Sequence, residues 1–354
     1  MIAVQCACQQ RYGRPMRIAS TTKLDFWMLG GLVATAIVAG RGTPDVEVPT
    51  TRELQAAVLS NGFAVMEGTP SDRHVVSIDW DGGSAKRRAV PVIAPEARMV
   101  GTSGGITVGW LENKKVLLAK VTGDGTLGET SSWGKRVKQL CEGTVASEDQ
   151  WGVGFLENDG RVWIVYGPTK KRAVADGFGE LTATTRTVWC GVTAAGKKVG
   201  LMGRDQHNKM WLGLCDGKGC GASVRVPLSR KETFAGIACH EARCLLIARD
   251  AKGIANLGWF VMPHGKLTWW KPLNDATSDT AFSITAAGND AFAVGYVTRE
   301  GATAIRVIES GSMVRAWADP SSTDAPVLAW ANDRLLVAHG HDSGALPEVV
   351  PLPR

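Results

Sequence analysis

The chain has 354 residues, 44% hydrophobic and 21% charged, with a formal net charge of +6. Residues 1–40 hold four Lys/Arg and one Asp, so the remainder carries 40 − 4 = 36 basic and 34 − 1 = 33 acidic residues, a net of +3. That balance excludes an electrostatic attachment to nucleic acid or to an anionic membrane as the main role.

The amino-terminal segment differs in composition from the rest. Arg11, Arg14, Arg17 and Lys23 precede an apolar run over residues 26–40 that ends in small residues. Fifteen residues are too few for a membrane span, which needs about 20. A basic region, a short apolar region and a small-residue end predict a secretory signal peptide over 1–40, cut near Ala36 or Gly40. An uncleaved anchor is the alternative, and membrane contact then comes only through this retained segment. The mature part, 41–354, is expected to be one domain in the periplasm or outside the cell.

Past residue 40, short apolar runs alternate with Gly, Asp, Asn, Ser and Thr clusters, the pattern of many short strands. Phe63-Ala64-Val65-Met66, Val75-Val76-Ser77-Ile78-Asp79-Trp80, Val116-Leu117-Leu118-Ala119-Lys120-Val121, Val162-Trp163-Ile164-Val165-Tyr166, Met210-Trp211-Leu212-Gly213-Leu214, Cys244-Leu245-Leu246-Ile247-Ala248 and Leu335-Leu336-Val337-Ala338 read as strands. Asn61-Gly62, Asp81-Gly82-Gly83, Asp124-Gly125, Asp159-Gly160 and Asn289-Asp290 read as hairpin turns. No periodic helical stretch is evident.

The strands repeat. Val108-Gly109-Trp110-Leu111-Glu112-Asn113 recurs as Val153-Gly154-Phe155-Leu156-Glu157-Asn158, and Thr193-Ala194-Ala195-Gly196 as Thr285-Ala286-Ala287-Gly288. Leu59, Leu111, Leu156, Thr193, Ala238, Thr285 and Ala329 mark one position per unit; 270 residues over six gaps make a period of 45. Four strands in such a unit form a propeller blade, and no unit buries its apolar faces alone. The expected fold is all-β, a seven-bladed β-propeller of four-stranded blades. Val46-Glu47-Val48-Pro49 and Glu348-Val349-Val350-Pro351-Leu352 would pair to close the ring. A sandwich array is the rival, but its domains run near 100 residues. Of 13 Trp, 12 follow residue 40, spread over the repeats, as expected for rings filling gaps between sheets.

These units resemble the repeats of bacterial exported β-propellers, best over 121–165, where Thr122-Gly123-Asp124-Gly125 leads to Trp151-Gly152-Val153-Gly154-Phe155. The resemblance spans about 45–354 and implies a fold and an address, without functional residues. Ser77-Ile78-Asp79-Trp80-Asp81-Gly82 departs from a sialidase Asp box, its Gly one place late and its Trp missing. No Gly-His precedes the single Trp-Asp pair, Trp80-Asp81, at blade spacing.

Six cysteines follow the leader. Cys215–Cys220 and Cys239–Cys244 each enclose four residues, so a hairpin with a two-residue turn sets each pair face to face, within disulfide reach. Cys141–Cys190 is the remaining pair. An even count in an exported chain supports bridges; a zinc site built from the two C-x4-C pairs with His240 is the rival.

Chemistry-bearing constellations are sparse. His339-Gly340-His341-Asp342 offers two imidazoles but no third ligand. Glu112 and Glu157 hold equivalent repeat positions, which suggests a shared structural role, while Asp79, Asp205 and Asp250 end strands, where Asp starts turns. No catalytic residue, metal or cofactor is predicted. Basic clusters at Lys86-Arg87-Arg88, Lys114-Lys115, Lys170-Lys171-Arg172 and Lys197-Lys198 are candidates for one rim of a disc. Trp269-Trp270 places its rings on opposite strand faces, and Trp270 is the candidate binding residue. The expected role is a non-enzymatic exported scaffold that binds a protein or glycan partner. The alternative is a carbohydrate-active enzyme with acids in the central funnel.

Overall fold

The computed structural model describes Ala7–Cys8 and Met16–Arg17 and, from Glu53 onward, all but residues 84, 103, 144, 148–149, 168–170, 175–186, 196–197, 217–218, 222, 230, 263–265, 287–290, 311, 320–324, 342–343 and 352–354. The chain divides into a unit over 1–52 and a unit over 53–354. In the first, Ala7–Cys8 and Met16–Arg17 pair antiparallel; the apolar run 26–40 and Val46–Pro49 lie outside the described residues.

The second unit is a ring of seven blades, each an antiparallel meander counted outward from the axis. Blade 1 comprises Glu53–Leu59, Gly62–Thr69, Asp72–Asp79 and Ala85–Val90. Blade 2 comprises Ala97–Thr102, Gly105–Glu112, Lys115–Val121 and Leu127–Trp133. In blade 3 the inner strand is broken into Val137–Leu140 and Val145–Ser147; both pair with Gln150–Glu157, followed by Val162–Gly167 and Lys171–Val174. Blade 4 has Thr187–Ala195, Lys198–Asp205, Met210–Asp216 and an outer strand split into Gly219–Cys220 and Val224–Arg225. Blade 5 has Thr233–His240, Arg243–Arg249, Ala255–Val261 and Lys266–Leu273. Blade 6 has Ser283–Ala286, Ala291–Val297, Thr303–Glu309 and Ser312–Asp319. Blade 7 shows three strands, Val327–Ala331, Arg334–His341 and Gly344–Pro351.

The middle strands read as apolar runs because a blade is covered on both faces. Phe63, Ala64, Val65 and Met66 are consecutive and all buried, where a sheet wet on one side would alternate. One cluster joins Ala57, Met66 and Val75 of blade 1 to Met99, Val108 and Trp110 of blade 2. Another joins Phe63, Val65 and Ile78 to Ala329, Leu336 and Ala338, and so packs blade 7 onto blade 1. Trp110, Trp211 and Trp259 are buried in such seams, consistent with the packing role expected of the tryptophans.

Hydrogen bonds one repeat apart tie the inner strands together. Gln55 Nε2 donates to the Ala97 carbonyl at 2.7 Å and its Oε1 accepts from Met99 N at 2.8 Å. Arg98 Nε donates to the Cys141 carbonyl at 2.9 Å, and Leu140 N to Glu96 Oε2 at 3.0 Å. At the break in blade 3, Glu142 N donates to the Cys190 carbonyl at 3.0 Å and Val192 N to the Glu142 carbonyl at 2.8 Å, a parallel bridge onto blade 4. Ala195 and Cys239 make a second parallel pair, which links blades 4 and 5. Leu328 N donates to Ser283 Oγ at 3.0 Å across blades 6 and 7, and Arg334 reaches Asp81 at 3.1 Å across blades 7 and 1.

The inner strands end at Leu59, Thr102, Ser147, Ala195, His240, Ala286 and Ala331, successively 43, 45, 48, 45, 46 and 45 residues apart. Five of the seven marker positions lie on inner strands. Leu111 and Leu156 lie instead on second strands: the Val-Gly-aromatic-Leu-Glu-Asn repeat is real but one strand out of phase with the other markers, which widened one apparent gap and narrowed another.

Candidate functional site

The inner strands surround an axial cavity of about 320 Å³. They run parallel to one another, as the Glu142–Gly191 and Ala195–Cys239 pairings require, so one mouth collects their first residues and the other their last. Trp189, Phe234 and Phe282 stand near the first mouth, at or just before the starts of the inner strands of blades 4, 5 and 6, and Trp330 stands near the second. Val58, Ile284, Ala286 and Leu328 also line the cavity. Its polar side chains are few. Thr193 Oγ1 donates to the Ile237 carbonyl at 3.2 Å, and Ser283 Oγ is the acceptor for Leu328 N. Among the described residues the lining carries one carboxylate, Glu142.

Three disulfides stiffen this part of the ring. Cys141–Cys190 joins blades 3 and 4 at the strand break, with Cα atoms 4.7 Å apart. Cys215–Cys220 and Cys239–Cys244 cross their hairpins in direct register, at 3.9 and 4.0 Å. Among the described residues no group of three His, Cys, Asp or Glu is placed to hold a metal; the zinc reading fails because its thiols are bonded to each other.

The acids take structural roles. Asp205 Oδ1 accepts from His207 N and Lys209 N at 2.8 and 2.9 Å, and Asp250 Oδ1 from Lys252 N and Ile254 N at 2.8 and 3.0 Å. Each caps the turn between second and third strands of its blade, and Asp79 caps the turn between the third and fourth strands of blade 1, accepting from Gly83 N at 2.9 Å. Glu112 and Glu157, at equivalent ends of second strands, differ in partner: Glu112 accepts from the Trp110 indole at 3.0 Å and Glu157 from Lys135 N at 3.0 Å. The shared role expected of them does not hold in detail. Tyr296 donates to Asp275 at 2.8 Å, and Arg306 also pairs with Asp275. Burial first, and then the bond to Asp275, push the Tyr296 phenol well above its ordinary range.

The basic clusters do not share a rim. Lys86-Arg87-Arg88 and Lys171-Arg172 lie on outer strands, while Lys114-Lys115 sits at a second-to-third turn and Lys198 at a first-to-second turn, opposite ends of the disc. Arg87 pairs with Glu67 at 2.8 Å. Trp270 pairs through its backbone with Gly258; its side chain, like those of Trp269 and His341, lies outside the described residues. The aromatic set at the first mouth was legible only as a phase: Trp189, Phe234 and Phe282 are 45 and 48 residues apart, a regularity visible once the inner strands are aligned.

No protein-family model matches the sequence, and no curated protein matches it. By structure the chain is similar to BBS1N in a crystal structure with ARL6DN (9% identity, 85% of this chain and 91% of that chain, TM-score 0.53). It also matches the WD40 domain of SCAP from fission yeast (12% identity, 86% and 74%, TM-score 0.45). The seven antiparallel sheets make the class a seven-bladed β-propeller, and at these identities the likeness to BBS1N is one of fold.

Proposed function

We propose that this protein is an exported, non-enzymatic scaffold whose propeller binds a protein partner. The observation that supports this most directly is the axial cavity, lined by half-exposed apolar and aromatic side chains on a hydrogen-bonded, disulfide-stiffened ring. Rigid frames of this kind present recognition surfaces without ordering cost at binding. The structural neighbour BBS1N was crystallised in complex with a protein, ARL6DN, in keeping with such a role. Hydrolysis of a glycoside asks for two carboxylates about 5–10 Å apart across a cleft, whereas the described lining offers Glu142 alone. Export is supported by three disulfides, which persist in oxidising compartments, and by the basic-then-apolar leader. Among the described residues no helix is long and apolar enough to cross a membrane.

The test is twofold. Mass measurement of the protein recovered from its native cell, with and without thiol alkylation, should show loss of about the first 40 residues and no free thiols. Pulldown of envelope proteins on the mature chain, beside a glycan array, should yield a stoichiometric protein partner; turnover of a glycoside would refute the non-enzymatic role, and glycan binding alone would refute the protein-binding role.

A further inference from the structure

Among the described residues, the mouth where the inner strands begin differs from the other in three respects. First, Trp189, Phe234 and Phe282 form an arc over three successive blades, each half-exposed and lining the cavity; Trp189 and Phe234 touch with ring centroids 5.6 Å apart. Second, guanidinium groups back this arc. Arg204 lies over Trp189 at 5.9 Å and Arg249 over Phe282 at 5.3 Å, and the two arginines are themselves one repeat apart, at the ends of equivalent second strands. Arg249 is committed to the Thr280 carbonyl, while Arg204 meets no carboxylate among the described residues. Third, the two large hydrophobics most exposed among the described residues, Ile93 at 81% and Val188 at 40%, both lie where a chain enters an inner strand, at this same end.

Resting on the protein-binding role, we infer that this mouth is the docking site. It takes an apolar or aromatic side chain of the partner into the arc of Trp189, Phe234 and Phe282, with an adjacent carboxylate of the same segment on Arg204. A guanidinium beside an aromatic ring brings a fixed fork of N–H donors whose geometry matches a carboxylate. Aromatic rings on a rigid frame are the side chains that concentrate binding energy at interfaces. A glycan fits less well. Sugar hydroxyls need several polar partners, and among the described lining residues the polar side chains are Glu142, Thr193, Ser283 and Thr285, with Thr193 donating to the Ile237 carbonyl and Ser283 accepting from Leu328 N.

The test pans a random heptapeptide phage library on the disulfide-intact chain, then measures resynthesised fluorescent peptides by anisotropy. Enriched peptides should place Asp or Glu within two positions of Trp, Phe, Leu or Ile. Arg204→Glu and Phe234→Ser should each weaken them at least tenfold, and Lys198→Glu, at the opposite end, less than twofold. Should Phe234→Ser lower the melting temperature, Arg204→Gln decides. Peptides that bind with unchanged affinity to Arg204→Glu, or that lack the acid, overturn this site while leaving protein binding intact. Absence of enriched peptides overturns the site, and if a uronic-acid oligosaccharide binds instead, the protein-binding role falls with it.

Discussion

Single carboxylates do most of the local shaping in this chain, by accepting backbone N–H groups that the strands leave over at their turns. Asp205 and Asp250 each satisfy two such donors, and Asn208 and Gly253 follow at positive φ of 62° and 78°, the conformation that closes the turn. Replacing either aspartate by Ala should cost about 1–3 kcal/mol, since bonds to an ionised acceptor outweigh neutral ones, while Asn should recover most of it; urea unfolding of the four variants checks this. Asp124 behaves differently because it is fully exposed. The Thr122 hydroxyl first, then the Thr126 N–H and hydroxyl, donate to its ionised form and lower its pKa from 3.8 to about 2. A lowered carboxyl stabilises the fold above its unfolded pKa, and that contribution disappears as pH falls from about 4 through about 2. A carboxyl-detected NMR titration should place the Asp124 midpoint near 2; a midpoint near 3.8 would mean the turn does not form in solution.

Blades 1 and 2 meet at a glycine because their inner strands approach backbone to backbone. A Cβ at Gly101 would stand 1.7 Å from the Val58 carbonyl oxygen of blade 1. That obstacle is main chain, which no side-chain rotation moves. Gly101→Val should therefore destabilise by about 3 kcal/mol or more, at the upper end of overpacking costs, or prevent folding; near-wild-type melting would contradict the close approach of blades 1 and 2. The disulfides rank by the chain they enclose. Cys141–Cys190 spans 49 residues of sequence separation and each hairpin bridge spans 5. Loop-closure entropy assigns about 4 kcal/mol to the first and about 2 kcal/mol to each of the others. The double substitution Cys141→Ser/Cys190→Ser should thus lower stability more than either hairpin pair, and equal losses would point to strain or residual unfolded structure instead.

A closed ring shares its stability around the circle, since every blade is sealed by two neighbours. Blade 7 covers Phe63, Val65 and Ile78 of blade 1 on one side and Ala293 and Ile305 of blade 6 on the other. Deleting residues 325–354 should therefore abolish cooperative melting of the whole ring; a truncated chain that still melts sharply would show the blades to be independent. Much of this architecture was readable beforehand. The seven apolar runs that read as strands are strands, except that Trp80 falls in the turn after Asp79; Cys215–Cys220 and Cys239–Cys244 face each other in the register their spacing implies, and Asp205 and Asp250 sit at turns. All of these depend on neighbours within a few residues. What escaped was set by partners a repeat or more away. Leu111 and Leu156 fell out of phase because an inner and a second strand have similar apolar content, and the basic clusters scattered because their position along a strand, and hence their end of the disc, is invisible in composition. The arc of Trp189, Phe234 and Phe282 escaped for the same reason. Local hydrogen-bonding geometry and the period of about 45 residues were enough to specify the strands, the hairpin bridges and the number of blades. Which aromatic rings reach the axis, and which mouth gathers them beside Arg204, was decided only when the blades closed, because exposure in a ring depends on what the two neighbouring sheets leave uncovered.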